Sequence, residues 1–225
     1  MASSQIRSPV ENIALARNHI EAICHYLVPV PPDDDGEHYL ARLAFYGLMN
    51  RIVELGEASA TALLADQLAA GALLSRATGE TTAVIYMLAS KAKSLATEEE
   101  RRELDAIARR VVSASRNRAK DLTPAPNILT LIDKLNKEVQ NFRALYDVLS
   151  EYAHPNAAGI FAAVGPGCTG LDGRVEQFTA SSRSLALSSS ALFLRVSAAK
   201  AFTLTKFSDL PVMHFRTPGR GEVES

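Results

Sequence analysis

Tryptophan is absent from this chain of 225 residues, and aromatic residues make up only 6% of it. The core must therefore be aliphatic and rich in alanine, which suits close helix packing better than a β-sandwich. Cysteine is also scarce. Cys24 and Cys168 stand far apart in sequence, with no partner at a metal-ligand spacing. A single bridge between them and a reduced pair are both open readings, and the reduced pair of a cytoplasmic protein is the simpler. The net charge is −1, so no whole-protein field attracts nucleic acid or an anionic membrane. Long uncharged runs are missing too. The most apolar region, 58–90, is interrupted by Asp66, Arg76 and Glu80, and nothing approaches the ~20 residues of a membrane span. The first seven residues contain no apolar run of the signal-peptide kind. These absences point to a soluble cytoplasmic protein that needs no membrane and no cofactor.

Apolar residues reach 47%, enough to bury a sizeable core in one large domain. Start signals for helices are clear. Ser8-Pro9-Val10-Glu11 and Thr97-Glu98-Glu99-Glu100 are capping boxes, and Asn127 is a third cap. They predict helices over about 9–27, 98–115 and from 127 onward. Pro29, Pro31 and Pro32 make 28–36 a loop, followed by a helix over about 37–55 that Gly56 would end. Residues 57–93 read as helix apolar around most of its circumference, with a break near Gly71. Such a helix is expected at the centre of a bundle.

From Asn127 to Pro155 the apolar positions Ile128, Ile132, Leu135, Val139, Phe142, Tyr146, Leu149 and Ala153 alternate in steps of four and three. That is the period of one continuous helix laid into a packed seam. Beyond Pro155, glycines enclose Ile160–Val164 and Arg174–Thr179, which read as strand candidates. A last helix is expected over about 182–206. The fold class that follows is all-α: a single domain over 1–207, with six or seven helices, a small β-hairpin or irregular insert near 158–180, and a flexible tail over 208–225.

The seam helix carries the candidate chemistry. At ~100° per residue, Arg143, Asp147, Ser150 and His154 fall on one polar stripe, with Tyr146 beside them inside the seam. Pro155 ends the helix at His154, where the backbone dipole favours a charged imidazole. A histidine one turn beyond a hydroxyl can serve as general acid or base. Equally, His154 can be an end cap and the stripe a solvated face. Arg76 and Glu80 share one face of the apolar helix. They either neutralise each other in place, or Arg76 reaches the seam helix and holds an anion such as phosphate.

Other groupings are weaker. The spacing of His19, His25 and His38 does not place ligands on one helical face, so no metal site is expected. Asp33-Asp34-Asp35 reads as an acidic helix start. Arg109, Arg110, Arg116, Arg118 and Lys120 are basic but follow an acidic stretch. The segment from Gly165 to Gly170 lacks the lysine of a phosphate loop.

Arg76-x-x-x-Glu80 on one helix, with Tyr146-x-x-Leu149-Ser150-x-x-x-His154-Pro155 closing another, resembles a family of bacterial all-helical proteins of uncharacterised function. More distantly it is similar to the HEPN superfamily of helical bundles. That resemblance implies a dimer in a stress or defence system, acting on RNA as a metal-independent ribonuclease or through a protein partner. His154 would move a proton, Arg76 would steady phosphate charge, and Glu80, Arg143, Tyr146 and Ser150 would bind or position. The active HEPN pattern puts an arginine a short interval before the histidine on one helix. Here Asp147, Val148 and Leu149 stand there, so Arg76 would act from a neighbouring helix. Two alternatives remain: a non-catalytic interaction or ligand-sensing bundle in which the polar set is structural, and a small-molecule pocket beside the glycine-rich insert.

Overall fold

The computed structural model describes residues 8–27, 39–93, 97–113, 125–164 and 174–204. Expectations for the acidic run, the glycine segment 165–170, Cys168, the basic residues 116–120 and the tail 208–225 lie outside the described residues. Within them there are eight helices: α1 Pro9–Leu27, α2 Tyr39–Leu64, α3 Leu68–Lys91, α4 Glu98–Ser113, α5 Ile128–Asn136, α6 Phe142–Ala153, α7 Ala157–Val164 and α8 Arg174–Leu204. None of them is long and apolar enough to cross a membrane.

The helix starts form as capping chemistry dictates. Ser8 N–H donates to Glu11 Oε2 at 2.7 Å, and Glu11 N–H donates to Ser8 Oγ at 3.2 Å. Thr97 and Glu100 repeat the exchange at 3.0 and 3.2 Å. Asn127 Oδ1 accepts from the amides of Leu129 and Thr130. Each pair satisfies amides that a helix cannot bond internally.

α3 is the central helix. Thr81, Thr82 and Ala83 are all buried in succession, and three consecutive residues sweep ~200° of helix arc, so neighbours must pack on opposite sides. α3 touches α2, α4, α5, α6, α7 and α8. Two apolar clusters flank the α3–α8 pair. One joins α1, α2 and α4 to it around Ile20, Phe45, Met49, Ile52 and Leu104. The other joins α5 and α6 to it around Ile132, Leu135, Phe142, Leu149 and Phe193. Phe142 and Phe193 pack with ring centroids 4.7 Å apart.

Between α2, α3 and α8 a buried polar seam of hydroxyl residues lies within the apolar contact. Ser59, Ser75 and Ser190 are fully buried and bond to one another at 2.7–3.1 Å. Thr82 receives the Ser197 hydroxyl at 3.1 Å. No described buried side-chain nitrogen or oxygen lacks a partner, as a buried polar seam requires.

Four expectations need correction. No strand occurs among the described residues: 160–164 belongs to α7, and 174–179 opens α8. The glycines suggested turns, but Gly159 sits in the first turn of α7. Its amide donates to Asn156 Oδ1 at 3.0 Å, and an added Cβ would lie 1.8 Å from the His154 carbonyl oxygen. That glycine allows α7 to start directly against the end of α6.

The seam from 127 to 155 is two helices. The chain turns over 137–141 with Asn141 left-handed at φ 67°. Leu135 and Phe142 remain seven residues apart across that corner, so the spacing alone reads as unbroken. Gly56 lies inside α2, where a Cβ would meet Leu194 Cδ1 at 2.4 Å; it permits close approach of α8 instead of ending the helix. The break expected near Gly71 falls at Ala65–Gln67, with Asp66 left-handed at φ 59°. Gly71 instead leaves room for Leu63, whose Cγ would be 2.4 Å from an added Cβ.

Candidate functional site

Arg76, Glu80 and Tyr146 come together between α3 and α6. The Tyr146 hydroxyl accepts from Arg76 Nε at 3.3 Å and Nη2 at 3.2 Å, and donates to Glu80 Oε1 at 3.0 Å. Arg76 Nε also lies 3.2 Å from Glu80 Oε1, and its guanidinium carbon is 5.3 Å from the Tyr146 ring centroid. The tyrosine is 4% exposed. The two charged side chains are 30% and 33% exposed. The phenol thus has its polar end at the rim and its ring in the core, where an amphipathic aromatic is most useful.

Ser150 and Arg143 are used elsewhere. Ser150 Oγ donates to the Tyr146 carbonyl at 2.8 Å, one turn back on its own helix. Arg143 bridges the α5–α6 hairpin. Its Nε lies 2.9 Å from both carboxylate oxygens of Asp147, and its Nη1 lies 2.7 Å from Asp133. Asp147, then Asp133, raises the Arg143 pKa further above its ordinary value. Its amide donates to Asn136 Oδ1 at 3.0 Å, so Asn136 caps α6 from the end of α5.

His154 is exposed at the end of α6. Its backbone is extended, φ −94° and ψ 149°, as the following proline demands. Its Cα stands eight residues beyond that of Tyr146, about 12 Å along the axis at 1.5 Å per residue. Helical side chains lean toward the N-terminus, so the Tyr146 ring, with Arg76 beside it, leans away from His154.

An open cavity of about 620 Å³ lies at the α5–α6 corner, lined by Asn136, Lys137, Glu138, Gln140, Asn141, Arg143, Ala144 and Asp147. Of the polar stripe singled out from sequence, Arg143 and Asp147 front it, while Ser150 and His154 do not line it. Among the described residues no three His, Cys, Asp or Glu side chains gather as a metal would require. Cys24 is half-buried, and burial, aided by Glu21, pushes its thiol pKa up, away from the reactive thiolate.

A second set of the same chemistry escaped the sequence reading. Tyr86 donates to Glu138 Oε1 at 2.7 Å, Lys200 donates to Glu138 Oε2 at 2.7 Å, and the lysine nitrogen lies 4.9 Å from the Tyr86 ring centroid. These residues come from α3, the α5–α6 corner and α8, and no sequence spacing links them. Tyr152 donating to Ser182 at 2.7 Å is likewise a pairing between distant helices. The serine seam did leave a trace: Ser182, Ala186, Ser190, Phe193 and Ser197 recur at helical steps.

No family model, curated protein or solved structure matches the chain.

Proposed function

We propose that the chain is a non-catalytic cytoplasmic bundle that works by association, with Arg76, Glu80 and Tyr146 fastening α6 to α3. One observation carries this reading. The Tyr146 phenol accepts from Nε and Nη2 of Arg76 and donates to Glu80, and Glu80 lies 3.2 Å from the same Nε, so the charge expected to steady phosphate is paired within the protein. Ser150 supports the same view, because its hydroxyl is committed to its own helix. The motif resemblance to HEPN-like proteins suggests a stress or defence setting and a homodimer. Self-association is supported by α7, whose sequence AAGIFAAV has no charge and whose Ile160 is 56% exposed.

The competing reading is an RNA-directed, metal-independent ribonuclease using His154 and Arg76. The exposure of His154 at a helix end favours it, since an exposed imidazole can reach a large substrate. One experiment separates the two. Purified protein and its His154→Ala variant are incubated with mixed RNA without metal, and the mass of each is measured by light scattering. The association reading expects a dimer and no cleavage by either sample. Cleavage by the wild type that disappears in His154→Ala would establish the ribonuclease and remove the present proposal.

A further inference from the structure

Glu138 stands in the short corner between α5 and α6, and its two carboxylate oxygens have partners on two different helices. Oε1 receives the Tyr86 hydroxyl from α3, and Oε2 receives the Lys200 ammonium from α8, both at 2.7 Å. Lys200 is 18% exposed and Glu138 is 44% exposed. The lysine is therefore sheltered, while the carboxylate remains open to protons from solvent. The backbone bonds of the corner are local. Glu138 and Val139 amides donate to the Leu135 carbonyl at 3.0 and 2.9 Å, and the Phe142 amide donates to Val139 at 3.2 Å. The Arg143 amide depends on Asn136. Beyond the corner, Leu135 and Phe142 are fully buried and hold α5 and α6 to the core without it.

We propose that Glu138 is a proton-sensitive latch: its carboxylate pins the α5–α6 corner to α3 and α8, and losing that charge frees the corner while both helices stay docked. The charged and titratable surroundings agree. Tyr86 and Lys200 face Glu138 directly, and Lys93, just past α3, adds a more distant positive charge. On its own hairpin, Lys137, Arg143 and Asp147 line the same cavity, and Arg143 is occupied by Asp133 and Asp147. The Lys200 bond first, then the Tyr86 bond, holds the Glu138 carboxyl below its ordinary value of 4.5. A depressed carboxylate contributes fully above its unfolded value, and the contribution fades as pH falls through the folded one. Since Glu138 also forms a wall of the polar cavity, release would reshape that cavity as well.

Amide hydrogen exchange on the full chain tests this. At pH 7, Glu138→Gln should speed exchange of the Glu138, Val139, Phe142 and Arg143 amides by about three- to tenfold, leaving those of Leu149 and Tyr152 unchanged. In the wild type, corrected for intrinsic rates, the same amides should loosen on acidification. Lys200→Met should move that loosening to higher pH, because the charge that depresses the carboxyl has gone. Unaltered corner exchange in Glu138→Gln would overturn the latch, and so would equal acceleration throughout α3 and α6. Should Glu138→Gln not fold, an unmoved acid midpoint in Lys200→Met would overturn it.

Discussion

Tyr146 shows how much one hydroxyl can organise. It takes two donors from Arg76 and gives its proton to Glu80, so three side chains on two helices have one mutual arrangement. The cluster lies at the rim, where solvent weakens ion pairs, and the worth of the phenol is that of hydrogen bonds in a part-exposed site. Tyr146→Phe is expected to cost about 1 kcal/mol, lowering the melting temperature by roughly 2–4 °C for a chain of this size. Arg76→Met and the double variant complete a cycle, and a coupling of at least ~0.5 kcal/mol is expected. Strict additivity in thermal melts would show that the guanidinium and the phenol only lie near each other.

At the scale of elements, starts were legible and corners were not. The Ser8, Thr97 and Asn127 caps involve residues two or three apart, and such chemistry is complete within one turn. The corners at Asp66 and Asn141 depend on left-handed residues that are not glycine, and periodicity is blind to backbone sign. The glycines misled for a related reason: Gly56 and Gly159 make room inside helices, and what occupies that room comes from another element or the preceding corner. They should respond differently to alanine. Gly56→Ala sets a methyl 2.4 Å from Cδ1 of Leu194, a buried side chain that must repack, and about 1 kcal/mol of helix propensity offsets part of that cost; a smaller loss than at Gly159 is expected. Gly159→Ala sets a methyl 1.8 Å from the His154 carbonyl oxygen, where backbone must move, at a cost of about 1–3 kcal/mol. Equal urea midpoints for the two variants would contradict this account of α7.

Over the whole molecule, α2, α3 and α8 contribute to both apolar clusters, with α1 and α4 on one and α5 and α6 on the other. Shared central helices should make the bundle melt as one unit despite its two cores. Phe193→Ala, in the second cluster, should cost about 3–5 kcal/mol, and Leu104→Ala, in the first, about 2–5 kcal/mol. Because the two residues lie in different clusters, the losses should add within ~0.5 kcal/mol, and each variant should keep a single transition by calorimetry. Two separated transitions in Phe193→Ala would mean that the α5–α6 side unfolds on its own.

The sequence by itself determined that the chain is helical, that α3 is the central helix, and where α1, α4 and α5 begin. Those properties depend on period and capping within a few residues, which the chain carries locally. Only the tertiary structure decided that Arg76 meets Tyr146 and Glu80, that Ser59, Ser75 and Ser190 share one seam, and that Glu138 joins Tyr86 to Lys200. Each depends on how far one helix is rotated and shifted against another, and that is fixed by packing among residues remote in the chain, not by the spacing along any one segment.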